Sequence, residues 1–374
     1  CAQAAVWAAT TRRRHILRRK RVCRKVLQPF AIEPINPFMA DMKVTVQRLA
    51  APGQGILDIG ETSQQLAYCL KQAGADDSPK GRKAWRELLY TTEGLGKFCS
   101  AVFFDEEALD QQTTDQRLFV DVVKEQGVVV GVRADSDFFP LNGYGERGTD
   151  GLVDLAARCQ RFYECGARLA KWRCEVLCTM ELPTDVAVWE NTISLARCAQ
   201  VCQANGLAFA AEVDVVMGPG NHSVERAAYV SEKVYSQAMR TMNEYDVNLE
   251  AAVIMIGACS AGPDAGPVRT EDAAEYTART LRRTIPPALA GVHILPGKLN
   301  PDMAAQNVRA LQEAAVAEPW VVRPVYNTAL LAPILATWVE CGDFAQTRSQ
   351  FSQFLEASGQ AQFVVEEDVL VPQD

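Results

Sequence analysis

The chain of 374 residues is 48% hydrophobic and 22% charged, a balance that excludes a disordered or collagen-like polymer. No apolar run reaches the roughly 18 residues that a membrane-spanning helix needs, and the length suits one large barrel of strand and helix units. The net charge of −8 is unevenly placed: residues 1–45 hold ten Lys/Arg against Glu33 and Asp41, so that segment carries +8 and the remainder −16.

The first element is the basic stretch from Arg12 to Lys25, RRRHILRRKRVCRK. As a helix it sets Ile16, Leu17 and Val22 among cations, a pattern suited to an anionic membrane surface or an acidic partner. An organelle-targeting segment is equally Arg-rich and acid-poor. Nucleic acid is disfavoured, because the stretch has no aromatic residue on which a base could stack. PFAIEPINPF follows, and its three prolines predict an extended arm up to about residue 45.

From residue 55 onward, short apolar runs alternate with longer stretches of helical period, which is the pattern of βα units on a parallel sheet. The runs are GILDIG from Gly55, SAVFFD from Ser100, VVVGVRA from Val128, ARLAKWRCEV from Ala167, LAFAAEVDV from Leu207, LEAAVIMIG from Leu249, GVHILPG from Gly291 and VVRPVYN from Val321. Helical stretches such as GLVDLAARCQRFYECG and NTISLARCAQVCQANG close on Gly, as helix ends often do. Eight such units predict an α/β fold, a TIM (β/α)8 barrel spanning residues 46–360. It is preceded by the arm of residues 1–45 and followed by an acidic tail over residues 361–374. GYGERG from Gly143 follows no clear strand and is expected to be a surface turn rather than a nucleotide loop.

The twelve cysteines are expected to be reduced core thiols. Cys174 and Cys178, like Cys198 and Cys202, have three residues between them instead of the two usual in metal or redox pairs, so no metal is expected. A metal-dependent carbonyl chemistry would need several histidines, and the chain has only His15, His222 and His293. No cofactor is expected.

The strings LAAPGQGIL, LAKWRCEV, GLAFAAEVD and TLRRTIPPALAGVHILPG resemble the class I fructose-1,6-bisphosphate aldolases, collinearly from about residue 43 to residue 360. The string Ala170 to Cys174 and the run Arg282 to Pro287 are the most specific parts. The resemblance implies a strand-six lysine that forms a Schiff base with the ketose and acts as the electron sink for bond cleavage. Met255 stands at that position, Gly60 replaces the strand-one aspartate, and Arg133 replaces the strand-three lysine, while Lys171, Arg173 and Glu212 persist. Asp58, two residues before Gly60, is expected to point differently. The phosphate contacts implied by the family are also altered. Pro296, Gly297 and Lys298 replace a Ser-Gly-Gly loop, Asn327 and Thr328 replace Gly-Arg, and Cys69 replaces an arginine on the first helix.

A thioether has no nucleophilic amine, so these departures predict a catalytically inactive aldolase-like protein. Lys171, Arg173 and Glu212 would then remain as a buried ion-pair plug. Its role would be that of a structural or docking subunit of a larger organellar assembly, in a plastid photosynthetic complex ahead of a mitochondrial respiratory one, with a cytoplasmic location as the other possibility. The alternatives are an aldolase with residual or altered-substrate activity and a sugar-phosphate sensor.

Overall fold

The computed structural model describes residues 36–363 apart from Lys298. The basic stretch from Arg12 to Lys25 and the end of the acidic tail lie outside the described residues.

Eight parallel strands close into a barrel: β1 (Gly55–Asp58), β2 (Cys99–Phe104), β3 (Val129–Arg133), β4 (Leu169–Cys178), β5 (Ala208–Met217), β6 (Ala252–Gly257), β7 (Gly291–Leu295) and β8 (Val321–Asn327). Each neighbours the next in sequence, and β8 pairs with β1 to complete the cylinder. These are the eight expected runs, and the fold is the expected (β/α)8 barrel. Because side chains alternate along a strand, one set turns inward. Ile56, Ala101, Phe103, Val129, Leu169, Ala208, Ala210, Val253, Met255, Leu295 and Val325 form the apolar barrel interior. The other set, including Leu57, Val102, Val130, Trp172, Phe209, Ile254 and Val292, packs against the outer helices.

The amino end of the barrel is plugged by the helix Met39–Leu49, whose Met42, Val46 and Leu49 join the interior cluster. Residues 39–45 are therefore helical, not extended. No proline follows Pro37 here, and the 42, 46, 49 spacing puts three apolar side chains on one helical face. From β8, Arg323 fastens this end by donating to the Ala50 and Ala51 carbonyls at 2.8–3.1 Å.

The first four residues of GYGERG lie in the turn between two short antiparallel strands, Phe138–Pro140 and Arg147–Thr149, and its last two belong to the second strand; both strands lie outside the barrel order. The hairpin is tied to β4, since Thr149 Oγ1 donates to the Arg173 carbonyl at 2.6 Å.

Candidate active site

In barrels of this kind, chemistry is built where the strands end and the βα loops begin. At those carboxyl ends the apolar pattern gives way to charge at every second residue. The series are Arg133 and Asp135 at the end of β3, Lys171, Arg173 and Glu175 on β4, and Glu212 and Asp214 on β5. A spacing of two keeps each series on one face of its strand, directed inward above the apolar layer.

Lys171 is the centre of the group. Its ammonium lies 2.6 Å from Asp58 Oδ2 and 3.0 Å from Glu212 Oε2, with the Phe103 ring centroid 5.3 Å away. Gly131 makes room for that ring, since a Cβ there would come within 2.6 Å of Phe103. Arg173 continues the network, with Nε 3.2 Å from Glu212 Oε1 and Nη2 2.9 Å from Asp214 Oδ2. Arg133 faces a different partner set, Asp135 at 2.6 Å and the Gln65 side-chain oxygen at 2.7 Å. The same Gln65 oxygen accepts from the Thr62 backbone N–H at 3.2 Å, completing the capping box that starts the helix Ser63–Gln72.

Asp58 does not point away from the site. Two residues is one full strand repeat, so Asp58 lies on the face that residue 60 would have used. Its carboxylate reaches Lys171. At Gly60 itself a Cβ would lie 3.2 Å from Phe103 Cβ and 3.3 Å from the Phe104 carbonyl oxygen. The position is tight for a side chain, and the carboxylate that reaches Lys171 comes from residue 58.

Burial and charge separate the protonation states. Burial would lower the Lys171 pKa, but Asp58 and Glu212 together hold it above the ordinary lysine value. Glu212 is pushed up by burial and pulled down more strongly by Lys171 and Arg173, so its carboxyl ends below the usual range. Asp58 goes the other way, raised by burial and by the nearby Glu212 in spite of Lys171. At neutral pH the set therefore holds an ammonium and an ionised Glu212, with Asp58 the more readily protonated of the two carboxyls that flank the ammonium.

Met255 is fully buried in the apolar layer, in register with Glu212 on one side and His293 on the other. No lysine stands on β6, so an imine cannot form from that strand. His293 is 1% exposed, and neither ring nitrogen has a hydrogen-bond partner. Burial, helped by Arg323, lowers its pKa to about 3, so the ring is neutral. His222 is a packing residue: its Nε2 lies 3.4 Å from Met217 Sδ, and Gly262 is needed because a Cβ there would meet its ring at 2.6 Å.

The residues at the positions where the family resemblance implies phosphate contacts are placed as follows. Pro296 offers no N–H, and Gly297 is exposed with φ +61°. Lys298 lies outside the described residues. The Asn327 side-chain oxygen accepts from the Leu330 N–H at 3.3 Å. Thr328 donates its hydroxyl to Glu61 Oε1. Cys69 is half-buried near Glu61, and burial followed by that carboxylate raises its thiol pKa. Sequence reasoning missed Asp135 and Asp214 and set Asp58 aside. The alternation of charge at the ends of β3 to β5 was the readable mark of the first two, and the two-residue step from Gly60 was the mark of the third.

Comparison with protein families matches residues 41–365 to the class-I fructose-bisphosphate aldolase family. The chain belongs to this family. A fructose-bisphosphate aldolase of Dictyostelium discoideum is 36% identical over 309 residues, covering 81% of this chain and 86% of that protein. The cytoplasmic isozyme of Spinacia oleracea is 35% identical, covering 78% and 81%. Among solved structures, the Plasmodium falciparum aldolase, in a complex with TRAP and a small-molecule inhibitor, is similar with a TM-score of 0.83 at 32% identity, covering 88% of this chain and 95% of that one.

These relatives correct the expectation of an inactive structural or docking subunit. Proteins similar over four-fifths of the chain are named as aldolases, which favours a catalytic member of the family. The expectation had weighed Met255, Gly60, Arg133 and the altered phosphate contacts as losses, and had missed that Asp58 places a carboxylate beside Lys171. Nor do the relatives support an organellar address, since those with a location in their names are cytosolic or cytoplasmic.

Proposed function

We propose that the chain is an aldehyde-lyase of the aldolase family, cleaving or joining the bond between the α and β carbons of a ketose, counted from its carbonyl, with altered substrate range. The observation that carries this reading is Lys171, an ammonium held between two buried carboxylates at the barrel mouth. An amine kept protonated is a poor nucleophile but a good electrophilic partner for a carbonyl oxygen. In the cleavage direction Glu212 takes the proton of the hydroxyl on the far side of the bond. The bond breaks as that carbon becomes an aldehyde, and its electron pair moves towards the ketone oxygen, where Lys171 stabilises the enolate charge. Glu212 then returns the proton to carbon. Losing one such stabilising donor typically costs about a hundredfold to a thousandfold in rate. The names of the plant relatives suit a cytosolic enzyme.

The test is cleavage of ketoses by the full chain, followed by borohydride treatment of the enzyme with substrate present. Turnover without a trapped lysine adduct is expected. Failure to cleave phosphorylated and unphosphorylated ketoses alike would refute the reading, and a borohydride-trapped adduct on Lys171 would replace the electrostatic role with a covalent one.

A further inference from the structure

We propose that the mouth takes an uncharged polyhydroxy carbonyl compound in preference to a phosphorylated one, and that Glu61, held by Thr328, sets this choice. The inference rests on the lyase reading and names its substrate class.

It starts from the balance of charge. Among the described residues at the ends of β1, β3, β4 and β5, three cations (Arg133, Lys171 and Arg173) face six carboxyl groups, namely Asp58, Glu61, Asp135, Glu175, Glu212 and Asp214. Each cation is already engaged: Arg133 by Asp135, Lys171 by Asp58 and Glu212, and Arg173 by Glu175, Glu212 and Asp214. An arriving phosphate would have to displace one of these carboxylates while its own charge opposed the rest.

The β8 to β1 side makes the same point from a different direction. There the Thr328 hydroxyl is turned onto Glu61, and Pro296 at the end of β7 has no N–H to give. The second oxygen of Glu61, Oε2, is sealed from solvent and has no hydrogen-bond partner. A buried acceptor left unpaired is unfavourable, and a ligand hydroxyl satisfies it. Burial, and after it the charge of Asp58, raises the Glu61 pKa. A phosphate dianion offers that side neither a donor nor a compatible charge.

The experiment is calorimetric titration of the full chain with dihydroxyacetone, dihydroxyacetone phosphate and inorganic phosphate at constant ionic strength. The same titrations are repeated on Glu61→Gln and on Thr328→Arg, with far-ultraviolet dichroism confirming that each variant is folded. Dihydroxyacetone is expected to bind at least tenfold more tightly than its phosphate. Glu61→Gln should narrow that ratio, and Thr328→Arg should invert it. Tighter binding of the phosphate ester by the unaltered chain, binding of neither compound, or a ratio unmoved in both variants would each overturn the proposal. Turnover is measured separately on the matching ketoses. Cleavage confined to the phosphorylated form keeps the lyase and removes this substrate class, whereas tight binding of the neutral form without cleavage does the reverse.

Discussion

The two halves of the barrel mouth are built on opposite principles. On β3, β4 and β5 every charged inward group has a partner of opposite sign, and Lys171, Arg173 and Glu212 lock into one network. On β6 and β7 the inward groups include Met255 and the unpartnered His293, and just past the end of β8 Thr328 is spent on Glu61. The difference shows how one part of a site can keep its electrostatics while the part facing it is rebuilt: the paired half cannot lose a member cheaply, whereas the apolar half can exchange single residues. Breaking a buried pair by removing one partner costs about 3 to 5 kcal/mol, because the remaining charge stays buried and unpaired.

The largest effect should therefore come from Lys171→Met, which leaves Asp58 and Glu212 facing each other. A loss of about 3 to 5 kcal/mol in denaturant unfolding is expected, together with loss of ketose cleavage. Unchanged stability would mean that the paired half is held by packing alone. Glu212→Gln keeps the shape but removes the base, so turnover should drop by about a hundredfold to ten-thousandfold with a smaller change in stability. A fall in substrate affinity alone, with kcat intact, would move the proton transfer elsewhere.

The apolar half is probed by pH. His293 is neutral in the fold down to about 3, while an unfolded histidine takes up its proton near 6.5. The unfolded state thus binds the extra proton as pH falls below 6.5, and stability declines from there towards pH 3, whereas above 6.5 the group contributes nothing to the slope. Between pH 7 and pH 5 the share of His293 is roughly 2 kcal/mol. His293→Leu should flatten the acid limb by that amount, as measured from unfolding midpoints at the two pH values; an unaltered limb would show that the ring finds a proton acceptor. The smallest change is at the joint between the halves. Thr62→Ala removes the cap whose partner Gln65 also steadies Arg133. It should cost about 1 kcal/mol, visible as a lower unfolding midpoint with kcat barely moved.

The barrel was legible because each strand is an apolar run closed by glycine or a polar turn, and eight such units leave little choice of topology. Lys171, Arg173 and Glu212 were legible as well, through the resemblance carried by LAKWRCEV and GLAFAAEVD. The helix Met39–Leu49 was not, because the prolines just before it set the expectation for the whole segment. The Thr328 to Glu61 contact was out of reach for another reason: it joins the two ends of a closed sheet, across 267 positions. The activity was misjudged where a residue-by-residue comparison weighed Gly60 and Met255 as losses and did not ask what the same face of β1 held one repeat earlier.

That carboxylate also bears on how homologous enzymes are compared. Moving an acid by two residues along a strand preserves its side of the sheet and shifts it by about 7 Å along the strand axis, which the reach of a lysine side chain absorbs. An alignment column records this as a deletion of function, while the cavity registers only a change of address. Catalytic inventories of barrel enzymes should therefore be taken by face and height around the cylinder, and a chain with a vacant column should have the residues two before and two after inspected before its chemistry is written off.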